Sequence, residues 1–327
     1  MQRRNLFVSL VAGLAALCAA PGLALAQDRW PSKPITYVVP FPPGGTTDVL
    51  ARIIGQKLGA ALGTTIVVEN KPGAGGNVGS EVVAKAAPDG YTILGGTISS
   101  HSINVSLYPK LPYDPVTSFQ PITLIGTNPN ILVVNASSPY KSVQDVTAAL
   151  KAKPGSLSYA SAGNGTSQHL SAELYKFLAG VDMVHIPYKG SGPAIQDVIG
   201  GQVPMMFDTS VVAGPHIESG RLRALAVTSS KRAAVFPNVP TMAESGVPGY
   251  DVVSWQAIFA PAGTPKPIVD RLHAELAKIL QDPEVRDRLA KLGLDPSGMT
   301  PAELSAFQKT EIDKWAKVIK AANIKID

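Results

Sequence analysis

Two stretches place glycine and threonine where backbone chemistry is on offer. Gly44-Gly45-Thr46-Thr47-Asp48 stands between an apolar strand pattern and an amphipathic helix pattern, and Gly163-Asn164-Gly165-Thr166 stands between a second such pair. The start of a helix carries free N–H groups and the positive end of its dipole. Glycine lets an anion come close to that backbone, and threonine adds a hydroxyl. The chemistry is anion binding by neutral donors. Two such ends facing each other across a cleft would suit a small molecule with terminal carboxylates. Asp48 falls in the first helical turn, where it reads equally as a capping carboxylate or a ligand contact. Phe41 either paves the cleft or belongs to the core.

Three more strand ends carry polar groups. The stretch "GGTISSHSIN" (95–104) is rich in hydroxyls and amides and reads as a loop. "PYKGSGPA" (187–194) puts Tyr188 and Lys189 before a glycine turn. "MMFDTS" (205–210) puts Asp208 at the end of an apolar strand. Asp208 reads first as a partner for neighbouring backbone or for Lys189, and contact with a ligand amine or hydroxyl is the sharper alternative.

Enzyme motifs fare less well. In "KPGAGGNVGS" the glycines fall at 73, 75, 76 and 79, so G-x-G-x-x-G is not met. Neither a phosphate-binding P-loop nor a G-x-S-x-G elbow occurs. The five histidines, His101, His169, His185, His216 and His273, are not spaced as metal ligands. His101 and His169 sit in candidate cleft segments, but no nucleophile and orienting acid accompany them, so both read as ligand-lining or structural. His185 reads as a satisfied core residue, and Trp255 and Met205 as core or hinge packing. No catalytic residue, metal or cofactor is expected.

The elements that must position these groups follow from periodicity. Strand patterns fall at 35–41, 65–69, 91–94, 121–126, 131–134, 157–160, 183–186, 203–207, 222–228 and 254–260. Helical patterns fall at 46–59, 77–87, 142–153, 167–178 and 193–200, with Ser142 and Asp145 as a capping box. The span 265–324 is almost wholly helical, with Pro283 and Pro301 in first turns. Alternation of this kind predicts an α/β protein with mainly parallel sheets. At 126–134 and 246–261 strand follows strand with no helix between. The chain therefore leaves one domain, builds a second and returns: 27–127 with 255–327 form domain 1, and 128–254 form domain 2. Two crossing strands make a hinge, and a hinge between lobes makes a ligand cleft.

Composition narrows the classes. Arg3 and Arg4, an apolar run over 6–20 and Ala24-Leu25-Ala26 read as a signal peptide cleaved after Ala26. Both the general and the twin-arginine export routes stay open. Cys18 is the only cysteine and lies in that segment, so no disulfide is expected. Removing the segment's two arginines takes the whole-chain charge of +5 to +3. Lysines and arginines are dispersed, which argues against nucleic acid. The expected location is the periplasm.

Several motifs together carry a resemblance. "YVVPFPPGGTTDVLARIIGQKL", "VVENKPGAGGNVGSEVVAKAAPDGYT", "SSHSINVSLYPKLPYDP", "YKGSGPAIQDVIGGQVPMMFD", "RALAVTSSKR" and "VPTMAESG" resemble the Bug receptors, the extracytoplasmic solute-binding proteins of tripartite tricarboxylate transporters. The likeness runs from about Trp30 to the C-terminus. It implies a type II periplasmic-binding-protein fold of two α/β lobes that close around a carboxylate: a dicarboxylate, hydroxy acid or aromatic acid. It also implies a monomer in transient contact with membrane transporter subunits, and capture by amides, hydroxyls and waters without an arginine clamp. By position, the resemblance implies Phe41, Gly44, Gly45, Thr46 and Asp48 from the first loop, and Thr97, Ser99, Ser100 and Asn104 from the second. Gly163, Thr166, Ser167 and His169 come from the third, Tyr188, Lys189 and Gly190 from the fourth, Asp208 from the fifth. Pro42-Pro43 replace the family's usual small residues before the glycine pair. The rival readings are a sensing subunit, or a secreted hydrolase or isomerase using His101 or His169.

Overall fold

The computed structural model describes residues 30–326. The leader expected at 1–26 lies outside them. The chain runs β1 (Ile35–Val39), α1 (Thr46–Leu62), β2 (Ile66–Asn70), a 3-10 turn (Ala74–Gly76), α2 (Asn77–Ala84) and β3 (Thr92–Thr97). A π-helical turn (Ser99–Ile103) then leads into α3 (Asn104–Leu107) and β4 (Phe119–Asn135). Next come α4 (Val143–Ala152), β5 (Ser158–Ser161), α5 (Ser167–Ala179), β6 (Val184–Pro187), α6 (Ser191–Ile199), β7 (Met205–Thr209), α7 (Ser210–Glu218) and β8 (Leu222–Val227). The chain closes with β9 (Val253–Pro261), α8 (Lys266–Gln281), α9 (Pro283–Lys291), β10 (Asp295–Pro296) and α10 (Pro301–Ala321).

The strands line up as β2-β1-β3-β9-β4-β7-β5-β6, with β8 and β10 also pairing β4. The βαβ units give the parallel pairs: β1 with β2 and β3, β5 with β6 and β7. The sheet is nevertheless mixed. β9 runs antiparallel to β3 and β4, and β4 antiparallel to β7 and β8. A strand arriving from the other lobe enters from the opposite end, so it pairs in reverse. The strands expected at 121–126 and 131–134 are one strand, β4. Over 119–129 it pairs β9, and from Asn130 onward it pairs β7 and β8.

Both faces of the sheet are covered, and side-chain alternation shows it. Ile35, Tyr37 and Val39 face a core with Leu50, Ile54 and Leu58 of α1 and Leu272 and Leu276 of α8. Val38 faces the opposite core, with Trp255, Leu304 and Trp315. In the second lobe Leu132 and Val134 face that same core, while Ile131 and Val133 face α6 and α7. Each such side chain contributes roughly 1.5–3 kcal/mol on burial. Trp255 is buried as expected, its indole N–H donating to Glu311 at 3.1 Å.

Two elements depart from the expectation. The 95–104 stretch is not a loop: from Ser99 it is helical and wholly buried. Its serines favour loops in isolation, but tertiary packing overrides that preference. α7 has no counterpart in the sequence reading, because Val211, Val212 and Ala213 are all buried and Gly214-Pro215 break the pattern. A first half buried on every side gives no amphipathic period.

Candidate functional site

Five helical starts converge on one cavity between the lobes. They are Gly45–Thr47 at α1, Ile98 and Ser99 after β3, Thr166–Gln168 at α5, Gly190–Gly192 at α6 and Thr209 at α7. In none of the five does the N-cap residue's own side chain bond the first amides, although at the Ser99 start the Ser100 amide donates to Thr97 Oγ1 at 3.5 Å. By contrast α4, α9 and α10, which start elsewhere, are capped by Ser142, Asp282 and Thr300. Uncapped first-turn amides are orphan donors. The cavity has about 490 Å³ of empty space, part of it open to solvent. Among the described residues that line it, none is charged. The donors it can offer are therefore backbone amides, side-chain amides and hydroxyls.

Of the residues expected in the site, Phe41, Gly45, Thr46, Thr97, Ser99, Thr166, Ser167 and Gly190 line this cavity. Thr46 and Thr209 share a 2.7 Å hydrogen bond that joins α1 to α7 across the lobes. Thr46→Val keeps the shape and breaks that link. We expect affinity for a solute held in this cavity to drop about tenfold by titration calorimetry, the worth of one buried hydrogen bond.

Of the remaining expected residues, Gly44, Asp48, Ser100, Asn104, His169 and Asp208 are absent from this lining. Gly44 donates its N–H to Asp48 Oδ2 at 3.0 Å. Arg52 grips both Asp48 oxygens at 3.0 and 2.9 Å, and Asn70 Nδ2 adds a bond at 3.0 Å. Burial alone would raise the Asp48 pKa, but Arg52, the Gly44 amide and Asn70 outweigh it and hold the carboxyl below its usual range. That carboxylate shapes the turn through these bonds. Ser100 is buried beneath the wall, bonding the Thr97 amide at 3.2 Å and His101 Nδ1 at 2.9 Å. Asn104 Nδ2 donates to the Gly75 carbonyl at 3.1 Å and Asn77 Oδ1 at 2.7 Å.

His101 is no general base for this cavity. Its ring is fully buried and stacks on Phe259 at 4.1 Å, and burial lowers its pKa to about 3. His169 Nδ1 accepts from the Gly165 amide at 3.3 Å, and its ring stacks on His185 at 4.2 Å. Burial, then the Lys176 charge, lowers its pKa to about 4. It shapes the Gly163–Thr166 turn from behind. Thr166 Oγ1 closes that turn by donating to the Gly163 carbonyl at 2.7 Å.

Asp208 sits under the floor, fully buried. Its Oδ1 accepts from Ser191 Oγ at 2.7 Å, Gln168 Nε2 at 3.1 Å and the Thr209 amide at 2.8 Å. Burial raises its pKa to about 6 against those three bonds. Neighbouring groups are its partners, as read, but Lys189 is not among them. Gly163, Tyr188 and Lys189 line an adjoining groove instead.

Several lining residues were not foreseen: Thr47, Gln168, Ser191, Thr209, Ser254 and Gln256. Gln256 Oε1 accepts from Thr47 Oγ1 at 2.8 Å. Ser254 and Gln256 flank the buried Trp255 on β9, so period-two alternation was a usable signal. Ser191 and Thr209 lay within stretches already singled out for other residues.

The family model described as tripartite tricarboxylate transporter family receptor matches residues 50–324. The chain belongs to this family. It is 38% identical to Protein BugT of Bordetella pertussis over 97% of this chain and 98% of that one. An R. palustris protein solved with adipate superposes with a TM-score of 0.89 at 40% identity, covering 90% and 99% of the two chains. MatC from Rhodopseudomonas palustris with bound malate gives 0.84 at 38%, covering 88% and 99%. This receptor is thus a Bug-type, two-lobed relative of periplasmic solute-binding proteins, and its family is a receptor family rather than an enzyme family. Among the described residues, no helix is long and apolar enough to cross a membrane.

Proposed function

We propose that this receptor captures a small carboxylate in the cavity between its lobes and delivers it to the membrane subunits of a tripartite tricarboxylate transporter. One observation carries the reading: five helix starts, none capped by its own N-cap side chain, meet at a cavity whose described lining has no charge. Neutral N–H and O–H donors at helix starts suit an anion, and no carboxylate lines the cavity among the described residues to balance a cation. The relatives solved with adipate and malate support the same ligand chemistry.

In this reading the eight lining residues that the sequence singled out touch the solute. Gly44, Asp48, Ser100, Asn104, His169 and Asp208 hold them in place. The crossing strands are the hinge, with boundaries at 127/128 and 254/255, and solute selects the closed lobes. The exported protein, cleaved after Ala26, works as a monomer.

Native mass spectrometry of freshly purified protein should reveal a co-purified acid. A thermal-shift panel with adipate and malate should show stabilisation, about 2.7 kcal/mol at a hundred times the dissociation constant. Small-angle scattering should show compaction with the same acid. Stabilisation by amines or neutral sugars, and none by any carboxylate, would overturn the proposal.

A further inference from the structure

Asparagine followed by glycine occurs once in the chain, at Asn164-Gly165, in the turn that leads into α5. Every other asparagine precedes a residue with a side chain. Asparagine is a thermolabile residue, and a following glycine leaves its backbone nitrogen unscreened. Asn164 is half-buried and lines a groove of about 1190 Å³, part of it open to solvent, so water reaches it. Its side-chain amide makes no hydrogen bond among the described residues. What restrains the pair is the peptide unit that joins it. The Asn164 carbonyl accepts from the Tyr108 hydroxyl at 3.1 Å, and the Gly165 N–H donates to His169 Nδ1 at 3.3 Å. Carbonyl and N–H belong to one planar unit. Attack by the Gly165 nitrogen on Asn164 Cγ must turn that plane, which breaks both bonds. His169 stands on α5 beside the turn, whereas Tyr108 follows α3 and reaches over from the facing lobe.

We propose that Asn164-Gly165 is a site of spontaneous deamidation, held in check by Tyr108 while the lobes are closed and released when they part. The Gly165 nitrogen bonds to Asn164 Cγ. Its proton passes through solvent to Nδ2, the Cγ–Nδ2 bond breaks, and Nδ2 leaves as ammonia. The cyclic imide so formed takes up one water. Opening at Cγ gives an aspartate at 164, and opening at the main-chain carbonyl gives isoaspartate, with the backbone rerouted through the β-carbon. In sum, amide and water become acid and ammonia, with no oxidation or reduction. Either product puts a carboxylate beside the start of α5, whose first residues line the cavity, and like charge opposes an anion there. Isoaspartate also adds an atom to a backbone turn that meshes with Asn104 and Tyr108. Protein left open without solute thus loses its site, and closed protein keeps it. The deamidation stands apart from the carboxylate reading; only its effect on anion binding rests on that reading.

The test incubates purified protein without solute at mildly alkaline pH and maps its peptides by mass spectrometry, with an isoaspartyl methyltransferase to label the rearranged product. Asn164 should convert ahead of every other asparagine. Asn164→Gln should keep its mass at that position, because glutamine would have to close a larger ring. Tyr108→Phe keeps the ring and drops the tether. It should speed conversion about tenfold, the worth of one hydrogen bond, and leave the other asparagines at their wild-type rates. Conversion of Asn164 no faster than that of the other asparagines overturns the site, and an unchanged rate in Tyr108→Phe overturns the restraint. Asn164→Asp carries one product by substitution and should lose the thermal stabilisation that adipate or malate gives the wild type. Stabilisation kept in that variant overturns the effect on binding. A wild type stabilised by neither acid counts against the carboxylate reading and leaves the deamidation to be decided by its peptide map.

Discussion

Gly165→Ala is expected to weaken carboxylate binding on the order of 100-fold, about 2.7 kcal/mol, while the unliganded protein stays folded. Gly165 has φ +78°, and a Cβ there would lie 2.4 Å from Asn104 Oδ1 and 3.0 Å from the Tyr108 ring. Asn104 cannot swing away freely, since its amide is held by Asn77 and by the Gly75 carbonyl. Gly75 meets the same loop from the other side: a Cβ on it would sit 2.5 Å from the Asn164 carbonyl. The segments after β5 and around α3 thus mesh only because both lack side chains. In the proposed cycle the lobes separate these segments on opening, so the cost would fall on the closed state, and apparent affinity would fall with the closed population. Gly180→Ala is the control. It shares the left-handed conformation at φ +60°, but nothing lies within 4 Å of its added Cβ. It should cost roughly 1 kcal/mol of stability and leave affinity alone. Calorimetry with a bound acid and scattering for compaction decide the matter. Full affinity in Gly165→Ala would mean that these loops do not meet when solute binds.

Asp208→Asn is expected to flatten the pH dependence of both stability and binding. Asp208 is fully buried, its Oδ2 lacks a hydrogen-bond partner among the described residues, and its pKa is raised by burial to about 6. A carboxyl that holds its proton more tightly when folded favours folding at low pH. That contribution is complete below the unfolded value near 4 and is lost as pH rises through about 6. The full loss is on the order of 3 kcal/mol from a shift of about two units. His101 and His169 titrate at about 3 and about 4, so they are neutral through the upper part of that window. Ionised Asp208 also puts a negative charge beneath an anion cavity through Ser191, Gln168 and Thr209. Carboxylate affinity should therefore drop about tenfold between pH 5 and pH 7.5 in the wild type and hold steady in Asp208→Asn. Melting curves across pH 4–8 and calorimetry at two pH values check both parts. An unchanged slope in the variant would exclude Asp208 as the titrating group.

Local signals reached far in this chain. Gly44-Gly45 before Thr46 marked the start of α1, Ser142 with Asp145 marked the start of α4, and strand–helix alternation marked the α/β lobes. Each is set within a few residues, by backbone freedom, a cap or a period, and needs no distant partner. The helical stretch 99–107 and α7 escaped because most of the former and the first half of the latter are buried on every side, which erases their period. Glycine turns also announced where an anion could be held, but not how many would meet. Convergence of five starts, with Asp48, His169 and Asp208 turned to support and Ser254 and Gln256 brought into the wall, depends on strand order. That order follows from pairings between residues far apart in the chain, such as Leu94 with Phe259, 165 positions away, and from which core each face must cover. Sequence alone determined the donors and the turns that expose them. The tertiary structure decided which donors share a cavity, because only long-range pairing and packing bring strand ends together.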